Sequence, residues 1–323
     1  MYNGMEGKLL IDGVDAYVEF GVFVGEGGYV GLVGHPQLKK LYDNDWMEQD
    51  GLEVDLHAPV CDAREFSMTF CFVGSPVRSS TFIGYVCDGA YHDYDFVEIG
   101  RSYRLRYVGT TEMVQIGTVG TLAVTFSDDF PLFHFNNSQH SFAPSSLPDD
   151  GCDYSIGAYG GTYIPFSAYG CSILKGSLTE ILKPSAVKKN LSRNISGTEG
   201  VYYDGGFVHY KDKVVKLDCL MRAGNLLDLW EMYDSLYIAL TSAGHLGLHI
   251  ESIMRTYKCH YKSLSVEEFY ITGKIWLRFV LELVFVDFHP EDGPTLILTE
   301  NDIVISTENN NPVNLTIDYH GNN

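Results

Sequence analysis

Most of the chain alternates apolar and polar residues with the two-residue period of a half-buried strand. The clearest case is Glu65–Val73, in which Phe66, Met68, Phe70 and Phe72 fall on one face. Further strands are predicted at residues 8–14, which run into an Asp-Gly turn, and at residues 16–24, 52–56, 101–108 and 120–126. Because alternation places one apolar face of each strand against a core, the pattern predicts a mainly β chain.

One segment has a helical pattern instead. Leu226–Leu240 carries apolar residues at intervals of three and four, with Asn225 as a candidate N-cap and Gly244 beyond its end. An earlier segment, residues 79–87, shows a shorter version that Gly84 weakens. Each half of the chain therefore predicts strands, a helix and strands again. This order is typical of an α+β unit, built as a β-barrel or sandwich with one packed helix per domain.

The features of the first half return in the same order in the second half. The offset is 149 positions between Gly21 and Gly170 and grows to 154 positions between Arg101 and Arg255. A constant order with slowly growing spacing is expected of two copies of one domain with loop insertions. The sequence therefore predicts a tandem duplication.

The predicted domain organisation follows from this repeat and from local composition. Residues 1–132 form the first β domain and residues 162–290 the second. Residues 133–161 between them are rich in Asn, Ser, Pro, Asp and Gly, which predicts a linker or projecting loop. Residues 291–323 form a C-terminal extension with strand patterns and a mobile, Asn-rich end.

Composition narrows the possible functions. The net charge is −20, which argues against a grip on nucleic acid, because phosphate binding needs clustered Lys and Arg. Seven cysteines without a C-x-x-C pair fit a reducing compartment. The chain shows neither a signal-peptide pattern nor a long apolar run, so we expect a soluble protein made in the cytoplasm.

The usual motifs of catalysis and cofactor binding do not occur. There is no phosphate-binding loop, no G-x-S-x-G and no H-E-x-x-H, so no enzyme, cofactor or metal site is predicted. We expect the histidines at positions 35, 57 and 92 to be solvated, because they lie in polar or turn-like segments. The best catalytic alternative is a glycosidase that uses the acids around Trp46, since glycosidases pair carboxylates beside aromatic sugar platforms. Those acids are Asp43, Asp45, Glu48 and Asp50.

A doubled basic and aromatic motif gives the candidate interface. The first copy reads Arg101-x-Tyr103-x-x-Arg106-Tyr107, and the second reads Arg255-x-Tyr257-x-x-His260-Tyr261. We expect Tyr103 and Tyr257 to pack in the core, while Arg and aromatic residues are enriched at binding hot spots. The candidate interface residues are Arg101, Arg106, Arg255, His260 and Trp46.

The order of motifs in the first half resembles the ring-forming domain of phage distal tail proteins. The resemblance rests on an early strand ending in Phe20-Gly21, a Pro and Lys segment at residues 35–40, and Trp46 with acids closing on Asp50-Gly51. An alternating strand, a helix and the Arg101-x-Tyr103 strand follow. The second copy departs from it, because it lacks the Trp and has Glu199-Gly200 in place of Asp-Gly.

This resemblance implies a structural protein of the virion tail. Distal tail proteins form six-fold rings that join the tail tube to the tip or receptor-binding apparatus. Related baseplate hubs carry two such barrels per chain and form trimers with a pseudo-six-fold outline. Such rings contact DNA only as it passes through the lumen, and they need no cofactor or membrane anchor. A carbohydrate-binding module or adhesin remains the alternative, because it would also be β-rich, aromatic and acidic.

Overall fold

The computed structural model describes residues 4–132, 152–189, 192–203 and 208–288. The fold is mainly β with packed helices and contains two large antiparallel sheets, as the sequence predicts. The first sheet contains β1 (Leu9–Ile11), β2 (Val14–Asp15), β3 (Val22–Val24), β6 (Arg64–Val73), β7 (Tyr91–Phe96), β8 (Arg101–Ile116) and β9 (Val119–Asp128). The second contains β10 (Tyr154–Ala158), β11 (Tyr163–Pro165), β12 (Cys171–Ile173), β15 (Lys213–Ala223), β16 (Leu246–Ile250), β17 (Arg255–Tyr270) and β18 (Ile275–Phe285).

Short hairpins and helices complete the described structure. One hairpin in each half pairs β4 (Asp43–Asn44) with β5 (Glu53–Val54), and β13 (Ser192–Arg193) with β14 (Tyr202–Tyr203). The α-helices are α1 (Ala16–Phe20), α2 (Pro76–Val86), α3 (Ser177–Leu182) and α4 (Leu226–Leu240). Two 3₁₀ helices span Phe166–Tyr169 and Glu251–Ile253.

The two sheets have the same strand order. The first runs β2-β1-β7-β8-β9-β6-β3, and the second runs β11-β10-β16-β17-β18-β15-β12. Their registers also correspond, because Arg101 pairs with Phe96 as Arg255 pairs with Ile250. Arg101 and Arg255 therefore occupy equivalent positions in the two halves. The predicted domain boundaries themselves stay a prediction.

Each sheet must curl strongly. Seven strands in a flat sheet would span about 29 Å from the first strand to the last. The two edge strands β2 and β3 are joined only by the five-residue helix α1, which with its flanks spans about 15 Å. The second sheet has the same link through the 3₁₀ helix Phe166–Tyr169. The short link brings the two edges together, so each sheet is barrel-like.

Helix α1 corrects a prediction, since residues 16–24 were expected to form one strand. The Asp15 carboxylate accepts hydrogen bonds from the amides of Tyr17 and Val18, which caps the helix. Gly21 ends it in the left-handed conformation with φ of +71°. Only Val22–Val24 remain as strand. The cap and the glycine were visible in the sequence, but five residues are too few to show a helical period.

The segment between the halves also differs from its prediction. Residues 133–151 lie outside the described residues, but Tyr154–Ala158, expected in a loop, form strand β10. Gly157 lies inside the glycine-rich segment 133–161 that is predicted as a linker or projecting loop. In the structure a Cβ at Gly157 would lie 2.1 Å from the Thr162 carbonyl oxygen, so glycine serves a close approach within the sheet. The strand patterns predicted after residue 289 lie outside the described residues.

Helix α4 confirms its prediction in extent and in its cap. The Asn225 side chain accepts a hydrogen bond from the amide of Asp228 at 2.9 Å. The apolar face of α4 is buried, and Tyr233 on this face packs edge-on against Phe279 of the second sheet. Most buried apolar side chains of the two halves belong to one continuous cluster, so the halves share a core.

A segment of the first half extends over the second half. Residues 41–56, which contain the hairpin β4–β5 and are called the arm below, place Val54 and Leu56 against Val286. The Gly51 amide donates to the carbonyl of Tyr210 at 2.8 Å, and the Leu52 amide donates to the carbonyl of Val286 at 3.0 Å. The arm is therefore bonded to the second half along its backbone.

We expect Gly51→Ala to release the arm. Gly51 has φ of +66°, and a Cβ there would lie 1.5 Å from the carbonyl oxygen of Val286. Gly117 is a matched control, because its φ is +65° and a Cβ would have no atom within 4 Å. Gly117→Ala should lose about 1–2 kcal/mol from the left-handed backbone alone. Gly51→Ala should lose roughly 1–3 kcal/mol more through overpacking. Urea unfolding of both variants measures this, and equal losses would contradict the docked arm.

Candidate functional site

The structure separates the five candidate interface residues into two groups. Arg101 and His260 are buried, at 7% and 8% exposure. Arg106 and Arg255 are half-buried, and Trp46 is exposed. The role of these residues in contacts between chains stays a prediction. The structure also shows a contact between the two halves, called the boundary below. In it, Arg101 and the loop around His35 of the first half meet helix α4 and Tyr261 of the second half.

The centre of the boundary is a buried ion pair. The Arg101 guanidinium, at the start of β8, donates to the Asp234 carboxylate of α4 at 2.5 Å. The same guanidinium lies 4.0 Å from the ring centroid of Trp230, one turn earlier on α4. Burial acts to lower the pKa of Arg101, but Tyr103 and Asp234 raise it above its usual value. Arg101 therefore stays charged, and its charge is satisfied by the other half of the chain.

His35 enters the same boundary from the loop that follows β3. Its ring stacks between Tyr233 and Tyr237 of α4, with centroid distances of 4.2 and 4.1 Å. Its Nε2 lies 3.7 Å from the Asp234 carboxylate. The expectation that His35 and His92 are solvated is wrong, since each is 5% exposed. No local signal marked His35, because the rings that enclose it lie about 200 positions further along the chain.

The tyrosine hydroxyls of the second half complete this contact. Tyr237 and Tyr261 both donate to the carbonyl of Pro36, at 3.2 and 2.8 Å. Tyr233 donates to the carbonyl of Val33 at 3.1 Å. The indole of Trp230 donates to the carbonyl of Ile99 at 2.7 Å. The backbone carbonyls of the first half are thus satisfied by side chains of the second half.

Arg64 holds the His35 loop from the other side. Its guanidinium donates to the carbonyls of Gly31, Leu32 and Gly34 and pairs with Asp128 at 3.1 Å. Burial raises the pKa of Asp128, although the positive charge and the hydrogen bond of Arg64 act to lower it. The fork geometry of a guanidinium suits several oxygen acceptors at once. The loop is therefore held by contacts within the first half, in addition to its contacts with α4.

The acids proposed as glycosidase residues contribute to fixing the arm. Asp45 pairs with Lys188 at 2.5 Å, and Asp50 accepts a hydrogen bond from the amide of Tyr210 at 2.6 Å. Lys188 is 5% exposed and also donates to the carbonyls of Trp46 and Gly51. These contacts join the arm to the second half and account for two of the four acids. The indole of Trp46 donates to Glu53, within the arm itself.

The remaining candidate residues differ in their partners. Arg106 pairs with Asp129 at 2.9 Å, and this hydrogen bond lowers the pKa of Asp129 to about 2. His260 is enclosed, and burial lowers its pKa to about 4. The side chain of Arg255, the equivalent of Arg101, makes no ion pair or hydrogen bond with any of the described residues. Tyr103 and Tyr257 are buried, as predicted.

Two further findings concern the described part of the chain. There, no group of three or more His, Cys, Asp or Glu side chains is arranged to hold a metal ion. Within the same ranges, no helix is long and apolar enough to cross a membrane.

Among solved structures, the chain is similar to the Dit protein of SPP1. That protein is described as a paradigm of the hub adsorption apparatus in phages that infect Gram-positive bacteria. The TM-score is 0.30 with 14% sequence identity, over 42% of this chain and 50% of that chain. The match thus spans about half the length of the Dit structure. No protein-family model matches the sequence, and no curated protein matches it significantly.

We expect Arg101→Met to destabilise the protein strongly. The substitution leaves the Asp234 carboxylate buried without its cation, which typically costs about 3–5 kcal/mol. Arg104→Met is the control, because Arg104 lies on the same strand but forms its ion pair with Asp93 at the surface. Exposed pairs contribute little, so Arg104→Met should change stability only slightly. Denaturant unfolding measures both, and a similar loss in the two variants would show that the buried pair is unimportant.

We expect His260 to make the fold sensitive to acid. Its pKa is about 4 when folded, against 6.5 for an unburied histidine. Since the unfolded chain binds the proton more readily, stability is complete above about pH 6.5 and is lost as the pH falls towards 4. Between pH 7 and pH 4.5 the loss due to His260 should be about 2–3 kcal/mol. His260→Gln should lose less than the wild type between these pH values in urea unfolding. The exposed control His57→Gln should behave like the wild type, and identical losses in all three proteins would contradict the assignment.

Proposed function

We propose that this protein is a structural component of a phage tail that forms a ring at the distal end. As a distal tail protein or baseplate hub, it would join the tail tube to the tip or receptor-binding apparatus. The observation that carries the proposal is the pair of sheets with one strand order, placed side by side in one chain. The proposal gives the chain a structural role in the virion and no catalytic role.

The geometry of the boundary supports a ring. The first half contributes the His35 loop and the start of β8, whereas the second half contributes α4 and the strand β17. Two like units thus meet through different surfaces. Contacts of this head-to-tail kind produce closed rings when the rotation between units closes. Two units per chain would give a six-part ring from three chains.

The charge of the protein is compatible with this role. A ring whose lumen passes DNA must not bind phosphate, and the chain carries 42 acidic against 22 basic residues. The most deeply buried basic groups, Arg101 and Lys188, are already paired with Asp234 and Asp45. These two cations are therefore not free to bind DNA.

One observation favours the alternative, a carbohydrate-binding adhesin of the tail. The two short hairpins carry exposed aromatic rings, and such rings serve as platforms for sugars. Tyr42 is 86% exposed, Trp46 49%, Tyr202 76% and Tyr203 57%. Glycan-array binding that is lost in Trp46→Ala and Tyr202→Ala would support this alternative over a purely structural role.

The assembly state of the purified full chain tests the proposal. We expect negative-stain images at high protein concentration to show rings with a six-part outline, and mass measurement to give three chains per ring. Rings of six chains would favour the distal tail protein over the hub. A protein that stays monomeric over the whole concentration range would contradict both.

A further inference from the structure

We propose that a groove on the outer face of the second sheet binds an acidic peptide segment of another protein. In the bound segment, carboxylates flank an apolar side chain. The groove lies between the ends of β15 and β18 and is called the cationic groove below. The inference goes beyond a structural role and does not depend on closure of a ring.

The cationic groove is formed by side chains that point away from the core. Alternate residues of β15 are buried, so Leu220 and Arg222 face outward. In the sheet register, Arg222 lies opposite Trp276 and Leu220 lies opposite Arg278 of β18. The groove has a volume of about 560 Å³, and its lining residues are Leu174, Leu220, Arg222, Lys274, Trp276 and Arg278. A smaller hollow of about 250 Å³ adjoins it and shares Arg222, Lys274 and Trp276.

Trp276 is held in a fixed orientation at this surface. Its ring stacks on Tyr270 of β17 with centroids 5.4 Å apart and an angle of 2° between the planes. Tyr270 is 52% exposed, and Trp276 is half-buried. Trp, Tyr and Arg are the residues that most often dominate the binding energy of protein interfaces. The groove therefore combines a fixed aromatic surface with the cation of Arg222.

Two positive charges in the groove are not balanced within the described residues. Arg278 pairs with Asp218 at 2.8 Å and with Glu268 at 3.3 Å, so its charge is satisfied. The side chains of Arg222 and Lys274 are exposed and make no ion pair or hydrogen bond with any described residue. These two cations therefore remain for a ligand, in a chain whose net charge is −20.

The fold does not require this chemistry. Arg222 is the equivalent of Val73 in the first half, because their amides donate to the carbonyls of the glycines that end the two linking helices. Val119 lies opposite Val73, as Trp276 lies opposite Arg222. The first half thus builds the same strands with two valines at these positions. The cation and the aromatic ring are particular to the second half, which favours a role in binding.

The lining side chains select the class of ligand. Arg, Lys and Trp side chains donate hydrogen bonds and accept none, whereas an ionised carboxylate only accepts. Sugar hydroxyls need acceptors as well as donors, so a glycan fits less well. Nucleic acid carries a charge at every phosphate, and the acidic chain repels such a polyanion. An acidic peptide can place carboxylates on Arg222 and Lys274 and an apolar side chain on Leu174 and Leu220.

Titration of the full chain with synthetic peptides tests the inference. The probe is a fluorescein-labelled peptide with two Glu residues on each side of a Leu-Phe pair, and the control peptide has Gln in place of every Glu. We expect saturable binding of the acidic peptide in fluorescence anisotropy, and at least tenfold weaker binding of the control peptide. Arg222→Gln combined with Lys274→Gln should also weaken binding of the acidic peptide at least tenfold. Lys216→Gln is the matched control, because Lys216 lies on the same strand and face but pairs with Glu282, and binding should stay unchanged.

Fluorine NMR of protein labelled with fluorotryptophan locates the bound peptide. The chain contains three tryptophans. The acidic peptide should shift the signal of Trp276, assigned with Trp276→Phe, and leave that of the buried Trp230 unchanged.

Three outcomes would overturn the inference. They are no binding of the acidic peptide up to about 1 mM, binding that the double variant does not weaken, and binding at the groove of an oligouronate or an oligothymidylate but not of the peptide. Each of these outcomes leaves the ring proposal standing, because ring formation is measured separately by imaging and mass.

Discussion

The arrangement of the two halves depends on one buried charge pair. Arg101 and Asp234 lie 133 positions apart and meet where water is excluded. A charge in such a place is tolerated only with its partner, because an unpaired ion loses its hydration without compensation. The contact between the halves is therefore either complete or strongly unfavourable, and intermediate placements of one sheet against the other are excluded.

Other contacts of the boundary follow from this constraint. With Arg101 fixed on Asp234, the indole of Trp230 reaches Ile99, and Tyr233 and Tyr237 enclose His35. The arm fastens the same two halves at a second place, through Lys188 and the backbone of Gly51. Two separate attachment sites restrict the movement of one half relative to the other. Such rigidity would suit the ring that we propose.

The features that the sequence predicts correctly are those with a local signal. Helix α4 shows its period over 15 residues and its cap at Asn225, and Tyr103 and Tyr257 fall on the apolar phase of their strands. The sequence predicts strand where helix α1 lies, because a helix of five residues is too short to show a helical period. The composition around Gly157 predicts a loop, because the sequence does not show the Thr162 carbonyl that approaches this glycine in the sheet.

The boundary itself could not be predicted from the sequence. The doubled motif drew attention to Arg101 and Arg255, but it gave no indication that one is buried and the other is not. That difference arises because Arg101 pairs with Asp234 of the second half, while the side chain of Arg255 has no such partner among the described residues. His35 carried no signal at all, since its burial depends on tyrosines of a distant helix. Two similar motifs thus acquire different environments from their positions in the chain.

The course of the arm has a consequence for synthesis on the ribosome. The arm is made early, but its contacts at Lys188, Tyr210 and Val286 are made much later. At a typical elongation rate of 5–20 residues per second, the arm waits roughly 10–50 s for Val286 to follow it. During that interval the strands of the first sheet have already emerged, while its arm and the His35 loop have nothing to bind. The N-terminal half of the nascent chain therefore completes its structure only when the C-terminal half has been translated.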